Sequence, residues 1–296
     1  MAQGPVTRGI RTIILVGVLF GLASVGAQAA GLVFGLSLAD QSTLSQQMRQ
    51  GVEAAASQWN VEVKAEDAAG QATKQAEDIG NLVKAGVQAL LVQPVDPVAV
   101  APAIAAAVKA GIPVATLVTP VAGEVATFHV VPAYRLAGRW AGEHLSRLVT
   151  TGTLVVIGPG DGLSKEVAGG FDTFCKGLPY VVTRLTAATR AEAAEALKKE
   201  IESKGLPAGV FALTPETLLG ALRALNGAEG GKDVPTVGYG TTPEVSKVLR
   251  SGRLSAVVVD KGYDLGVIAT ESMLGLIHKL KKPAKVILAD PGMLFQ

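Results

Sequence analysis

The stretch Leu82–Leu117, LVKAGVQALLVQPVDPVAVAPAIAAAVKAGIPVATL, constrains this chain more than any other. It ends one helix, enters the apolar run Ala89–Val92, turns at Gln93–Pro97, climbs an alanine-rich helix to Lys109 and begins a second apolar run at Val114. Asp96 fits a helix N-cap and Pro97 the first helical position, where a missing N–H costs nothing. Gly111 suits the left-handed residue after a helix. Two short, unbroken apolar strands joined by a helix predict parallel strands buried on both faces, which is a βαβ unit.

The same alternation runs through the rest of the chain. Strands are predicted at Gly31–Leu38, Val61–Ala65, Ala126–Val131, Thr153–Ile157, Tyr180–Leu185, Gly209–Ala212, Thr236–Tyr239, Ser255–Val259 and Lys285–Leu288. Thr43 with Gln46 matches a capping box at the first helix, and Leu44, Met48, Val52, Ala55 and Trp59 give it one apolar face. Strict alternation of strand and helix predicts an α/β fold of doubly wound parallel sheets. About ten strands exceed what one such sheet holds, so two similar lobes are expected, with the break near Pro132.

Arg8 and Arg11 precede the apolar run Ile13–Leu22, and small residues follow to Ala27-Gln28-Ala29. This order predicts a secretory signal at 1–29, cut after Ala29, ahead of the alternative of an N-terminal membrane anchor, for which the apolar run is short. Without the two signal arginines, 25 basic residues balance 25 acidic ones, and no basic stripe points to nucleic acid. The single cysteine, Cys175, leaves no internal disulfide to form.

The order and spacing of several short segments then resemble the periplasmic sugar-binding proteins of ABC importers, in the ribose-type branch. They are Lys84-Ala85-Gly86-Val87 before Leu90-Leu91-Val92-Gln93-Pro94-Val95-Asp96, Ala110-Gly111-Ile112-Pro113-Val114, Gly170-Phe171, Leu219–Leu225, and Val237-Gly238-Tyr239 followed by Thr242-Pro243. The resemblance implies a type I periplasmic binding protein fold, with two Rossmann-like lobes joined by a three-crossover hinge. It places crossovers near Val131–Ala133, Asp260–Lys261 and Ala289–Gly292. The lobes would comprise 30–131 with 261–288, and 132–260 with 289–296. It further implies a small-molecule ligand, an ABC permease with a cytoplasmic ATPase as partner, no cofactor, and no enzymatic activity. A chemoreceptor or sensor kinase is the alternative partner.

In open parallel α/β sheets, ligands sit beyond the carboxyl ends of the strands. Those ends direct attention to Asp40 and Gln41, then Thr119, Lys165, Thr214, Tyr239 and Asp260 as ligand-binding candidates, and the resemblance adds Leu44. The resemblance also marks departures. Leu44 and Ser45 stand where relatives stack a sugar on phenylalanines, and Val118 and Thr119 replace an Asp-Arg pair. Lys165 replaces an arginine, Thr214 an asparagine, Gly240 an aspartate and Asp260 a glutamine, while Ala188 falls near a further phenylalanine. A polyol, modified sugar or amine-bearing solute therefore fits better than unmodified ribose. Alanine at Lys165 or Asp260 is expected to abolish ligand binding with little effect on stability.

Gly158-Pro159-Gly160-Asp161-Gly162 lacks full G-x-G-x-x-G spacing. Ser164 has no evident histidine partner, and the three histidines are spread without metal-ligand spacing. The mature chain is expected to start at Ala30. Intact-mass measurement of secreted protein checks this, and a retained N-terminus would contradict it.

Overall fold

The apolar runs pair as parallel ladders because their side chains can be covered on both faces only by the intervening helices. The computed structural model describes residues 31–295; the expected signal and its cut after Ala29 lie outside them. The strands are β1 (Val33–Leu38), β2 (Glu62–Asp67), β3 (Ala89–Val92), β4 (Val114–Leu117), β5 (Phe128–Pro132), β6 (Gly152–Gly158), β7 (Tyr180–Thr186), β8 (Gly209–Ala212), β9 (Thr236–Tyr239), β10 (Ala256–Val259), β11 (Val286–Ala289) and β12 (Gly292–Leu294). The helices are α1 (Thr43–Ser57), α2 (Ala72–Lys84), α3 (Ala101–Lys109), α4 (Tyr134–Leu148), α5 (Gly162–Cys175), α6 (Arg190–Lys204), α7 (Pro215–Asn226), α8 (Pro243–Arg250) and α9 (Gly262–Ile277).

Two six-stranded sheets result, in the orders β11-β5-β4-β3-β1-β2 and β12-β10-β9-β8-β6-β7. These are the two parallel-sheet lobes of the expected fold class. The chain passes from the first sheet to the second after β5, returns after β10, and crosses again between β11 and β12. Each sheet is buried on both sides. Phe34, Leu36, Leu91, Phe128 and Met273 share one apolar cluster, and Leu90, Ile79 and Ile104 belong to another on the first sheet. Val155, Leu197 and Leu222, with Phe171, Phe211 and Val258, do the same for the second.

Three local readings change. Ser42, one residue earlier than expected, caps α1, accepting from Ser45 N at 3.4 Å. Asp96 does accept from Val98 N and Ala99 N, but the turn it caps is irregular and α3 begins only at Ala101. β12 is a short strand that runs antiparallel to β10 and is entered through the two-residue link Asp290-Pro291 after β11. Its three residues are too few to read as a strand. Gly111 takes the left-handed conformation, φ 86°, as expected after α3.

Two helix pairs meet at backbone contact. On the α1–α9 pair, a Cβ added at Gly51 would lie 2.1 Å from Tyr263 O, and one at Gly266 2.3 Å from Met48 O. On the α4–α5 pair, a Cβ at Gly138 would lie 1.7 Å from Val167 O, and one at Gly170 1.9 Å from Arg135 O. Gly80 in α2, by contrast, has nothing within 4 Å of that position. Gly138→Ala is expected to destabilise by about 1–3 kcal/mol or more through overpacking. Gly80→Ala should stabilise by roughly 0.5–1 kcal/mol, because the unfolded chain loses freedom. Urea denaturation of the two variants side by side measures both signs.

Candidate functional site

The strand ends of the first sheet are joined by a polar lattice. In the turn after β1, Asp40 Oδ1 accepts from Ser42 N at 2.9 Å and from Ser45 Oγ at 2.6 Å. Ser45 is fully buried in the first turn of α1, and its hydroxyl also lies 2.8 Å from Gln93 Oε1. Ala39 N donates to the same oxygen at 3.2 Å. Gln75, buried in α2, donates Nε2 to the Gln93 carbonyl at 2.7 Å and to Ser37 Oγ at 3.1 Å, and accepts from Val95 N at 2.7 Å. Partial burial works to raise the Asp40 carboxyl, but the hydrogen bonds from Ser45 and Ser42 outweigh it and hold the group below the usual range. Asp40 is thus an ionised, half-buried acceptor.

Its neighbours turn elsewhere. Gln41 is exposed, donates to Asp67 Oδ2 at 2.6 Å and accepts from Gln46. Leu44 is half-buried and packs against the apolar cluster of the first sheet, with its backbone beside Gly262. Thr119 follows a tight turn in which its N–H donates to Leu117 O at 2.8 Å. The central residue, Val118, has φ 68°, a costly conformation for a β-branched side chain. Two bonds hold it there: Val118 N to Val130 O at 2.9 Å, and Tyr134 Oη to Val118 O at 3.2 Å. The tyrosine opens α4, just past the first crossover.

On the second sheet, Asp161 caps α5 by accepting from Ser164 N at 2.7 Å, and Lys165 stands exposed in the next position. A hollow of about 310 Å³ lies there, lined by Gly158, Ser164, Lys165, Arg184, Thr186 and Leu213 among others. Arg184 is ion-paired to Asp172 of α5. The hydroxyl of Thr214 accepts from Thr217 N at 3.1 Å in a capping box at α7, so that group has a structural task.

Tyr239 and Asp260 are brought together: Tyr239 Oη donates to Asp260 Oδ1 at 2.6 Å. Dense packing on most sides of Asp260 raises its carboxyl to about 6, against the opposing effect of the tyrosine bond. Tyr134 and Tyr239 are both pushed far up, first by burial and then by the charge of Asp260. Asp260 therefore sits at the second crossover within a packed tyrosine cluster. This changes the expectation for Asp260→Ala, since the alanine would strand a buried phenol.

The sequence candidates leave out Gln75, Gln93 and Tyr134, and touch Ser45 only through the resemblance, where it replaces a stacking phenylalanine. Gln75 on the buried face of α2, and Gln93 closing an apolar strand, were the available signals. Among the described residues, no group of His, Cys, Asp and Glu could hold a metal ion.

Comparison with known proteins fits this geometry. The family model of the periplasmic binding protein domain matches residues 34–281, and the chain belongs to that family. It is 28% identical over 144 residues to the ribose import binding protein of Bacillus subtilis. That match covers 47% of each chain, so the chain spans about half the length of the curated relative it matches. An arabinose-binding protein from Geobacillus stearothermophilus superposes with TM-score 0.83 at 17% identity, over 90% of this chain and 97% of the other. An ABC transporter solute-binding protein from Bacillus halodurans with bound myo-inositol gives TM-score 0.70 at 20% identity, over 89% and 94%. These two likenesses establish the fold.

The raised Asp260 carboxyl has a definite consequence for stability. The folded state binds this proton more tightly than the unfolded chain, so stability falls as pH rises from about 4 to about 6. Asn at 260 keeps the acceptor for Tyr239 and removes the charge. Relative to wild type, Asp260→Asn should gain on the order of 1–3 kcal/mol at pH 7 over its value at pH 4. Denaturation curves at both pH values test this, and a difference independent of pH would contradict it.

Proposed function

We propose that this chain is a periplasmic solute-binding protein, not an enzyme, that captures a small polyhydroxylated ligand between two lobes and delivers it to an ABC permease. The lobes are 30–131 with 261–288 and 132–260 with 289–296, each built on one sheet. The observation that carries this reading is the set of polar groups at the strand ends, Asp40 and Thr119 on one sheet and Lys165 and Thr214 on the other, with the chain crossing three times between the sheets. Strand ends facing one another across such crossovers make a concave site at a domain boundary. Ligand bound there bridges both sides, and closure about the crossovers provides a form that a permease can distinguish.

The ligands named for the relatives, ribose, arabinose and myo-inositol, are all polyols or sugars, which supports the ligand class. Val118 spends its carbonyl on Tyr134, and no Asp-Arg pair stands at 118–119 to grip vicinal hydroxyls. Losing two charge-assisted bonds costs roughly a hundredfold in affinity or more, so unmodified ribose should bind far more weakly than the true ligand.

A thermal-shift screen across sugars, polyols, nucleosides, amines and small acids tests the reading. A polyol or modified sugar at a hundred times its Kd should stabilise the fold by about 2.7 kcal/mol, giving a clear rise in Tm. Selection of a small acid, with no response to any polyhydroxylated solute, would overturn the ligand class.

A further inference from the structure

Gln93 ends β3 with 8% of its surface exposed. Its Oε1 is fixed by the Ala39 N–H and lies against the Ser45 hydroxyl. The Ala39 N–H, which can only donate, assigns this atom as the oxygen, while the single Ser45 proton serves either it or Asp40 Oδ1. Nε2 then has no hydrogen-bond partner among the described residues. It is not sealed in either, since among the described residues the one enclosed side-chain polar atom without a partner is Nε2 of His144. A side chain more than nine-tenths buried thus brings a free N–H₂ donor to solvent at the strand end.

Asp40 is held in a complementary way. The two bonds placed by distance both fall on Oδ1, from Ser42 N and Ser45 Oγ, and the Ser42 hydroxyl also bears on the carboxyl, so Oδ2 is the oxygen with the most capacity left to accept. One buried hydroxyl, that of Ser45, touches both groups, 2.6 Å from the carboxylate and 2.8 Å from the amide oxygen. Gln75 fixes the backbone beneath them through the Gln93 carbonyl and Val95 N. Both side chains are thus anchored on the one Ser45 hydroxyl, which restricts their rotation.

An alcohol uses both groups, donating its proton to a carboxylate and accepting from an amide. A bare ammonium could use only the first, and an apolar group neither. We propose that Asp40 Oδ2 and Gln93 Nε2 form an acceptor–donor pair that grips one hydroxyl of the ligand, with Ser45 as the residue that positions both. This rests on the solute-binding reading. Several charged groups on the surrounding elements are already engaged. Asp67 at the end of β2 accepts from Gln41, Lys74 and Asp78 of α2 pair with each other, Asp96 after β3 caps a turn, and Lys261 is paired with Asp264 at the start of α9.

The experiment uses the wild-type protein, Ser45→Ala and Gln93→Glu, with myo-inositol as probe and carbon-13 NMR of the Asp40 carboxyl. Without ligand, the Asp40 titration of Ser45→Ala should move to higher pH, because a bond favouring the charged form is gone. A merely structural serine would lower Tm and leave that titration in place. With myo-inositol, Ser45→Ala should bind about tenfold more weakly and lose affinity at higher pH on acidification, as expected for one charge-assisted bond. Gln93→Glu keeps the anchoring oxygen and removes the donor, and should weaken binding at least as much. An Asp40 titration unmoved by Ser45→Ala overturns the proposal, as does a Gln93 amide resonance unmoved by bound myo-inositol. If the titration moves but myo-inositol does not bind wild type, the built pair stands and the polyol reading fails.

Discussion

Backbone contact between two helix pairs is the constraint on which the rest of this structure depends. α9 starts just past the second crossover and lies against α1, the helix that opens with Ser42 and Ser45. α4 starts just past the first crossover and lies against α5, whose first turn carries Lys165. Gly51 and Gly266 bring the first pair together, and Gly138 and Gly170 the second. Packed interiors do not deform continuously, so in the proposed closure each lobe would move as a unit and displacement would fall on the crossovers. The helix that leaves the hinge and the helix that carries the polar groups are locked together in each lobe.

The crossovers themselves hold polar groups under opposing demands. Tyr134 reaches from the start of α4 to the carbonyl of Val118, a residue held at positive φ at the end of β4. Tyr239 and Asp260 satisfy one another where β9 and β10 end. Burial disfavours the aspartate charge, and the tyrosine bond restores only part of that cost. Strain and desolvation of this kind persist where the surrounding structure over-determines a conformation. Here the surroundings are the two packed lobes.

The fold was legible because its signal is local. Ala89–Val92, Val114–Leu117, Gly209–Ala212 and Thr236–Tyr239 are strands with the limits that their apolar runs predict. β12 was not, since Gly292–Leu294 is too short to carry a period and pairs antiparallel with residues far back in the chain. The polar groups divide in the same way. Asp40 and Asp260 could be singled out because a charge ending an apolar strand is conspicuous. Thr214 could not be separated from a helix cap by sequence, and in the structure its hydroxyl caps α7. Ser45 and Gln93 acquire meaning only together, because their contact spans a separation of 48 residues. No period or spacing encodes such a pairing; it exists once β1 and β3 lie side by side.

The central claim is that two rigid lobes close over a polyhydroxylated solute. The most direct measurement is electron–electron distance spectroscopy with spin labels at exposed positions. One pair, Glu53→Cys with Lys109→Cys, lies within the first lobe, and the other, Lys109→Cys with Lys247→Cys, spans both. Buried Cys175 stays unlabelled. With saturating myo-inositol, or the polyol that most raises Tm, the spanning distance should shift and narrow while the first stays fixed. A spanning distance indifferent to bound ligand, or an equal change within the lobe, would contradict the account.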